Sequence, residues 1–468
     1  MPARASFLAR FGSYEGFLRT ILCLAILVTC GLSPIQTDTW WQLRAGRDMA
    51  ASGRVLLTDT YSHTASGSYW VNHEWLAELV FYGMYRVGGL GLLTLFCGVL
   101  IAGGWMVSWA MRSGPVRPAF VLFLCALVSS SGWWEPRPHA FSLLFIPLTL
   151  FLIERNKYAW LPLVFLVWAQ SHGGVLLGLA LLMTGLTAKL LVDRESWKRA
   201  LAAAATCVLA MTATPLGLHF WTEIPRSLSR INQYTLDEWM RPGLTEGVLI
   251  PFWGIAAIYP LALARSLWRS RRLDPRDVSL HACALVLLVA ALGAVRNVGP
   301  FLMLACPALT RVWGLAASPA GSDAAADRTR PNLVIQVVAI AGVVMILAIA
   351  YRDNWPRLKW TPMPEPAVAA LRECPGNLYN RYDEGGMLLW FAPERKVFLD
   401  GRQDPFPPAL VLEHIEMETG KRGYRETFLR HDIRCVFLPV TSPVASQLSD
   451  NEWRQLYRDP QWIVFAKR

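Results

Sequence analysis

The sequence predicts a polytopic α-helical membrane protein with a soluble α/β domain at its C-terminal end, and three observations carry that reading. Of 468 residues, 54% are hydrophobic and 17% charged, with a mean hydropathy of +0.32, too apolar for a soluble globule. Apolar runs long enough to cross a bilayer, or nearly so, recur from Phe17 to Tyr351. After Asp353 the pattern changes to short β-type segments alternating with helical ones.

At about 1.5 Å per residue, roughly 19 apolar residues cross the hydrocarbon core. Candidate spans fall at about 17–35, 89–110, 118–132, 139–153, 159–171, 173–192, 199–214, 247–267, 278–296, 299–317 and 332–351, which makes about 11 transmembrane helices. Three of these runs (118–132, 139–153 and 159–171) are short for a full crossing, which tilt or interruption accommodates. The first run, with Arg4 and Arg10 before it, reads as an uncleaved membrane helix that also targets the chain.

Charge orients the spans. With the N-terminus inside, inner connections collect roughly 19 Lys and Arg against roughly 8 outside. Residues 36–88, 133–138, 172, 214–246 and everything after Tyr351 then lie outside. The net charge of +11 is therefore topogenic, and a nucleic-acid partner is not expected. Two domains result: a membrane domain over 1–351, which includes a first outer loop at 36–88, and an outer α/β domain over 352–468. The Gly/Ala/Ser stretch 314–326 reads as a flexible inner loop.

Within the tail, the prolines of WPRLKWTPMPEP mark a linker. Strands are expected at Asn377–Tyr379, KVFLD, IRCVFLP and WIVFAK, with helices at DEGGMLLWF and from about Pro408 to Leu429. Seven of the nine cysteines lie in apolar stretches and read as small core residues. Cys374 and Cys435 lie in the polar tail and can pair if it faces an oxidising compartment.

The first outer loop concentrates the chemistry. It carries Asp38, Asp48, Asp59 and Glu74, with His63, His73 and four tryptophans. A structured loop of this length between spans is usually functional. Asp38, just past the first span, is placed at the membrane surface to act as a base, although TDTWW also reads as a helix cap. Asp59, His63, His73 and Glu74 form a looser acid and imidazole set whose spacing matches no metal motif. Leu76–Tyr85 has helical amphipathicity, with Asn72 as its N-cap. Between later spans stand Arg137 and His139, then His172 beside Gly173 and Gly174, then Arg296 and Asn297. Cations at that depth need an anion, and a phosphate suits Arg137 as well as a salt bridge to Glu135 or a loop acid does. In the tail, RYDEGG and DGRQD place Asp400 and Arg402 near tight turns, where acceptor recognition competes with turn chemistry.

These residues resemble a known superfamily. The DTWWQLRAG segment, Asp38 to Gly46, is similar to the first outer loop of GT-C glycosyltransferases. Asp59 to Glu78, Arg137 to Ser142, His172 to Gly174 and Tyr382 to Arg402 match a group of bacterial polytopic membrane proteins with the pattern DxWWxLxxG, HEWLxE, RPxxFS, HGG and DGR. The resemblance implies a GT-C-like fold in the bacterial cytoplasmic (inner) membrane. It also implies inverting transfer from a polyprenyl-phosphate sugar donor to a glycan, lipid or protein acceptor, with Asp38 as general base. Arg137, with His139 or Arg296, would stabilise the departing phosphate; His172, Asp59, His73 and Glu74 join the substrate-binding set, and Asp400 and Arg402 the acceptor side. Asp38 departs from the relatives that carry a second acid beside it, for Thr39 and Trp40 follow. No cofactor is expected, although the acidic loop leaves room for a divalent cation. The alternatives are a non-catalytic GT-C-like scaffold or transport component of surface polysaccharide assembly, and a metal-dependent hydrolase built on the His and acid set.

Overall fold

The computed structural model describes residues 11–194, 197–231, 237–270, 274, 277–314, 332–448 and 451–468. The chain divides into two compact units: Met1–Ser33, Gly91–Thr214 and Thr235–Leu358 form one, and Pro34–Leu90, Pro215–Tyr234 and Lys359–Arg468 the other. This division follows packing rather than chain order, since the loop after the first apolar run groups with the tail.

The first unit is helical. Over the described residues, each of the eleven apolar runs coincides with a helix. Among the described residues, five helices are long and apolar enough to cross a membrane: α1 (Tyr14–Gly31), the long helix Trp75–Ala110, Val116–Trp133, Gly247–Arg269 and Leu333–Arg352. The apolar helices His139–Glu154, Tyr158–Ala169, Val175–Leu190 and Val278–Gly293 are shorter. Exposed Val121, Leu124 and Val128 on one helix, and Val334, Val338 and Val344 on another, present apolar surface outward, as lipid contact requires.

Two devices hold this unit together. A β-carbon on Gly104 would come within 2.1 Å of the Leu143 carbonyl oxygen, so only glycine lets those helices meet. At Arg311 the guanidinium donates to both Glu154 oxygens (2.7 and 2.8 Å) and to Asp277 Oδ1 (2.8 Å), tying three segments. Five cysteines of the apolar stretches are buried, Cys23 is half-buried and Cys125 is exposed. Cys125 thus corrects its expected core placement: a helix apolar on every face turns one side away from the core. The stretch 315–326 lies outside the described residues.

The second unit begins with α2 (Thr37–Ser52), which stops at Gly53 in the left-handed conformation with φ 66°. The long helix α3 (Trp75–Ala110) is interrupted at Gly88 and Gly89, where φ reaches 62°. The amphipathic segment read from the sequence precedes that break. Asn72 corrects its expected role: its side-chain amide donates to Glu78 Oε2 at 3.0 Å, and its Oδ1 caps no backbone N–H.

The tail adds a four-stranded sheet of β1 (Asn377–Asn380), β2 (Ile433–Pro439), β3 (Trp453–Arg458) and β4 (Trp462–Lys467), in the order β1-β2-β4-β3. β1 runs parallel to β2, and the other pairings are antiparallel. Two expectations change here. KVFLD is not a sheet strand: Val397 pairs instead with the first loop, donating to the Tyr61 carbonyl (3.0 Å) and accepting from His63 N (3.1 Å). Its neighbours Phe398 and Leu399 bond the Asn380 side chain (both 2.8 Å). The helix expected over 408–429 is two, Pro408–Glu418 and Arg425–Arg430, parted at Gly420 with φ 73°. Cys374 and Cys435 form a disulfide.

Candidate active site

Asp38 stands in the first turn of α2, with Gln36 as the N-cap, so its carboxylate complements the positive end of the helix. The buried side chains of Trp40, Trp41, Leu43, Ala45 and Met49 root that helix in the unit. Trp41 Nε1 donates to Asp38 Oδ1 at 3.0 Å. The tail closes on the same turn through two glycines. A β-carbon on Gly386 would lie 2.3 Å from the Thr37 carbonyl oxygen, and one on Gly401 would lie 2.1 Å from Asp38 Oδ1. The GG and DGR motifs are therefore close-approach devices that bring the tail onto the acid.

Gly401 is flanked by a buried ion triad. Arg402 Nη1 pairs with Asp59 Oδ1 at 2.7 Å; Nη2 and Nε reach the two oxygens of Asp400 at 2.7 and 2.8 Å. All three side chains are fully buried. The guanidinium lies over Trp70 (4.8 Å) and Tyr61 (5.0 Å). Burial alone would lower the affinity of Arg402 for its proton, but Asp400 and Asp59 outweigh burial and raise it. Asp59 also accepts from Tyr61 N, Ser62 N and Ser62 Oγ, which folds the loop into a turn. The acceptor contact expected of Asp400 and Arg402, and the substrate contact expected of Asp59, thus meet a different setting: these groups are spent on one another.

His73 Nδ1 lies 3.1 Å from the Val71 carbonyl oxygen and its Nε2 lies 3.8 Å from Glu74 Oε1. His63 Nε2 contacts the Leu378 carbonyl at 2.9 Å, and burial pushes its pKa down. Asp59, His63, His73 and Glu74 do not converge on one point, and among the described residues no group of three or more His, Cys, Asp or Glu could hold a metal ion.

The first unit gathers the other candidates. Glu238, on a one-turn helix (Asp237–Trp239), accepts from Arg137 Nη1 through Oε2 at 3.1 Å and from Arg296 Nη1 through Oε1 at 3.2 Å. The expected loop acid is thus Glu238 rather than Glu135. Trp239 stacks under Arg296 at 4.5 Å, and Val295 N donates to the Met240 carbonyl at 2.8 Å, fastening the two segments. Burial tends to raise the Glu238 carboxyl, but Arg296 and Arg137 more than offset it and hold it below the ordinary carboxylate range. His139 Nε2 contacts the Trp133 carbonyl at 2.5 Å. His172 lies on a separate network: its Nδ1 accepts from Gly174 N (3.1 Å) and meets Ser142 Oγ at 2.7 Å, while Trp168 Nε1 donates to that hydroxyl.

Glu238 and Gly401 are the positions that residue-by-residue reading passes over. The first could be sought as the acid that two cations between apolar runs require, and the second as the glycine of DGR.

No family model and no curated protein matches the sequence. Solved structures do. The Archaeoglobus fulgidus oligosaccharyltransferase in its apo form superposes with a TM-score of 0.59 at 11% identity, over 93% of this chain and 70% of that one. The archaeal oligosaccharyltransferase AglB from Archaeoglobus fulgidus, in complex with an inhibitory peptide and a dolichol-phosphate, gives 0.57 at 11% identity, with the same coverage. The arabinofuranosyltransferase AftD from Mycobacteria gives 0.51 at 15% identity, over 97% of this chain and 40% of that one. ArnT from Cupriavidus metallidurans, bound to undecaprenyl phosphate, gives 0.48 at 16%, over 96% and 97%. At these identities the likeness is one of fold: the chain shares the architecture of these solved membrane proteins.

Proposed function

We propose that this protein is a multi-pass glycosyltransferase of the bacterial cytoplasmic membrane, with its N-terminus cytoplasmic and its tail outside. It would transfer a sugar from a polyprenyl-phosphate donor to a glycan, lipid or protein acceptor on the outer face. The observation that carries the reading is Asp38, held in the first turn of the helix that follows the first apolar span, within a GT-C fold covering nearly the whole chain.

In this chemistry the acceptor hydroxyl attacks the anomeric carbon as Asp38 takes its proton. The bond between that carbon and the phosphate oxygen breaks, and the configuration inverts. Polyprenyl phosphate leaves, its charge met by Arg137 and Arg296 with His139 beside them. His73, Glu74 and His172 contribute to substrate binding. Asp59, Asp400 and Arg402 act through Gly401 as positioning residues for Asp38. The Cys374–Cys435 disulfide supports an outer, oxidising location for the tail.

The test uses full-length protein in membranes, a panel of polyprenyl-phosphate monosaccharides, and a cell-envelope fraction as the acceptor source. Release of polyprenyl phosphate is measured, with and without a chelator to settle any cation requirement. Asp38→Asn should abolish release while expression and thermal unfolding stay as in the wild type. A fully active Asp38→Asn protein removes Asp38 from the mechanism.

A further inference from the structure

Glu238 engages two cations with the two oxygens of one centre, one oxygen to each guanidinium. A phosphodiester presents the same two-pronged pattern through its non-bridging oxygens. Resting on the reading that these arginines serve the lipid phosphate, we propose that Glu238 is a displaceable internal anion, occupying the phosphate position between Arg137 and Arg296 and competing with the substrate for it.

Three features argue for displacement rather than a permanent bridge. The contacts, 3.1 and 3.2 Å, exceed the roughly 2.7–2.9 Å of a tight charge-assisted pair. By contrast, Arg402 closes on its acids at 2.7 Å with all side chains fully buried. The side chains of Arg137, Glu238 and Arg296 keep 23%, 19% and 24% exposure, so a ligand oxygen can reach them. Finally, the acid stands on a single turn while Arg296 is fixed by its stack on Trp239, so rotating the Glu238 side chain opens the position without moving that cation.

The charges give this a function. With Glu238 seated, both guanidiniums already hold an anion, so a phosphodiester donor reaches them only by displacing it. Swung away, the carboxylate leaves the two guanidiniums to the donor phosphate and then to the more highly charged phosphate that forms as the sugar departs. Its return then competes with the spent lipid phosphate and favours release.

The experiment measures binding of undecaprenyl phosphate to the purified full-length protein in detergent at fixed salt, with thermal unfolding as the fold control. Glu238→Gln is expected to bind at least tenfold more tightly than the wild type, and Arg137→Gln and Arg296→Gln at least tenfold more weakly. If the arginine variants weaken binding but Glu238→Gln binds equally or less well, the competition is refuted and the phosphate reading stands. If the arginine variants bind like the wild type, the phosphate reading itself falls, and this inference with it. Should Glu238→Gln fail to fold, Glu238→Asp, with a shorter reach, is expected to tighten binding by a smaller factor; wild-type affinity in that variant overturns the proposal.

Discussion

Asp38 and Gly401 are packed so closely that a methyl group on the glycine would sit 2.1 Å from Asp38 Oδ1. The tail therefore reads the position of the acid directly, and the acid cannot move toward the tail. This relationship gives the DGR motif a physical reason to lack a side chain at its middle position.

Gly401→Ala should displace the Asp38 carboxylate and strain its bond from Trp41. Misplacement of a reacting group by about 1 Å can cost roughly a hundredfold in rate. Transfer should fall by about that factor while the unfolding temperature changes little. Wild-type turnover in Gly401→Ala would detach Asp38 from the reaction.

Arg402→Met should leave Asp59 and Asp400 as uncompensated buried charges. Removing one partner of a buried ion pair costs about 3–5 kcal/mol. The unfolding midpoint should drop sharply and the second unit should become protease-sensitive. Arg402→Lys should recover only part of the loss, because an ammonium cannot reproduce the forked contacts to Asp400.

Cys374 and Cys435 are 61 residues apart in sequence. Closing a loop of that size stabilises by up to about 4 kcal/mol in the chain-entropy view. Reductant, or the Cys374→Ser and Cys435→Ser pair, should lower the unfolding temperature of the second unit. A midpoint unchanged by reductant would mean that the bridge contributes little.

Glu384 supplies a pH dependence. Burial lifts its carboxyl to about 7 from 4.5, against the pull of nearby Arg381. Between those values the folded protein holds a proton that the unfolded chain releases. Its contribution to stability is therefore complete below about pH 4.5 and is lost as pH rises through about 7. Glu384→Gln should flatten that slope and stabilise the protein at pH 8, as measured by unfolding midpoints across pH.

The positions of the apolar helices are legible in the sequence because a helix in hydrocarbon needs only local properties: length, apolarity and internally satisfied backbone groups. The strands β1, β2 and β4 are legible for a similar local reason. β3 is not, since its residues WRQLYR lie at the sheet edge, half of them exposed, and lack an alternating apolar face. KVFLD looks like a strand, yet its partners are Tyr61 and His63, some 330 residues earlier, and no local pattern announces them.

The candidate site divides the same way. Asp38 can be singled out from its place after the first apolar run, and a need for an anion near Arg137 follows from charge and depth. That Glu238 is this anion, and that Arg402 pairs with both Asp59 and Asp400, depends on which distant segments meet.

By itself, then, the sequence determined the helical membrane class, the mixed tail and the acid at the head of α2, because each follows from residue type and short-range spacing. Tertiary structure alone decided that the first loop belongs with the tail, that Gly386 and Gly401 press on the first turn of α2, and that Asp59 of the loop and Asp400 of the tail share Arg402. Those outcomes rest on side chains and carbonyls hundreds of residues apart competing for one another in a buried space, and composition holds no record of that competition.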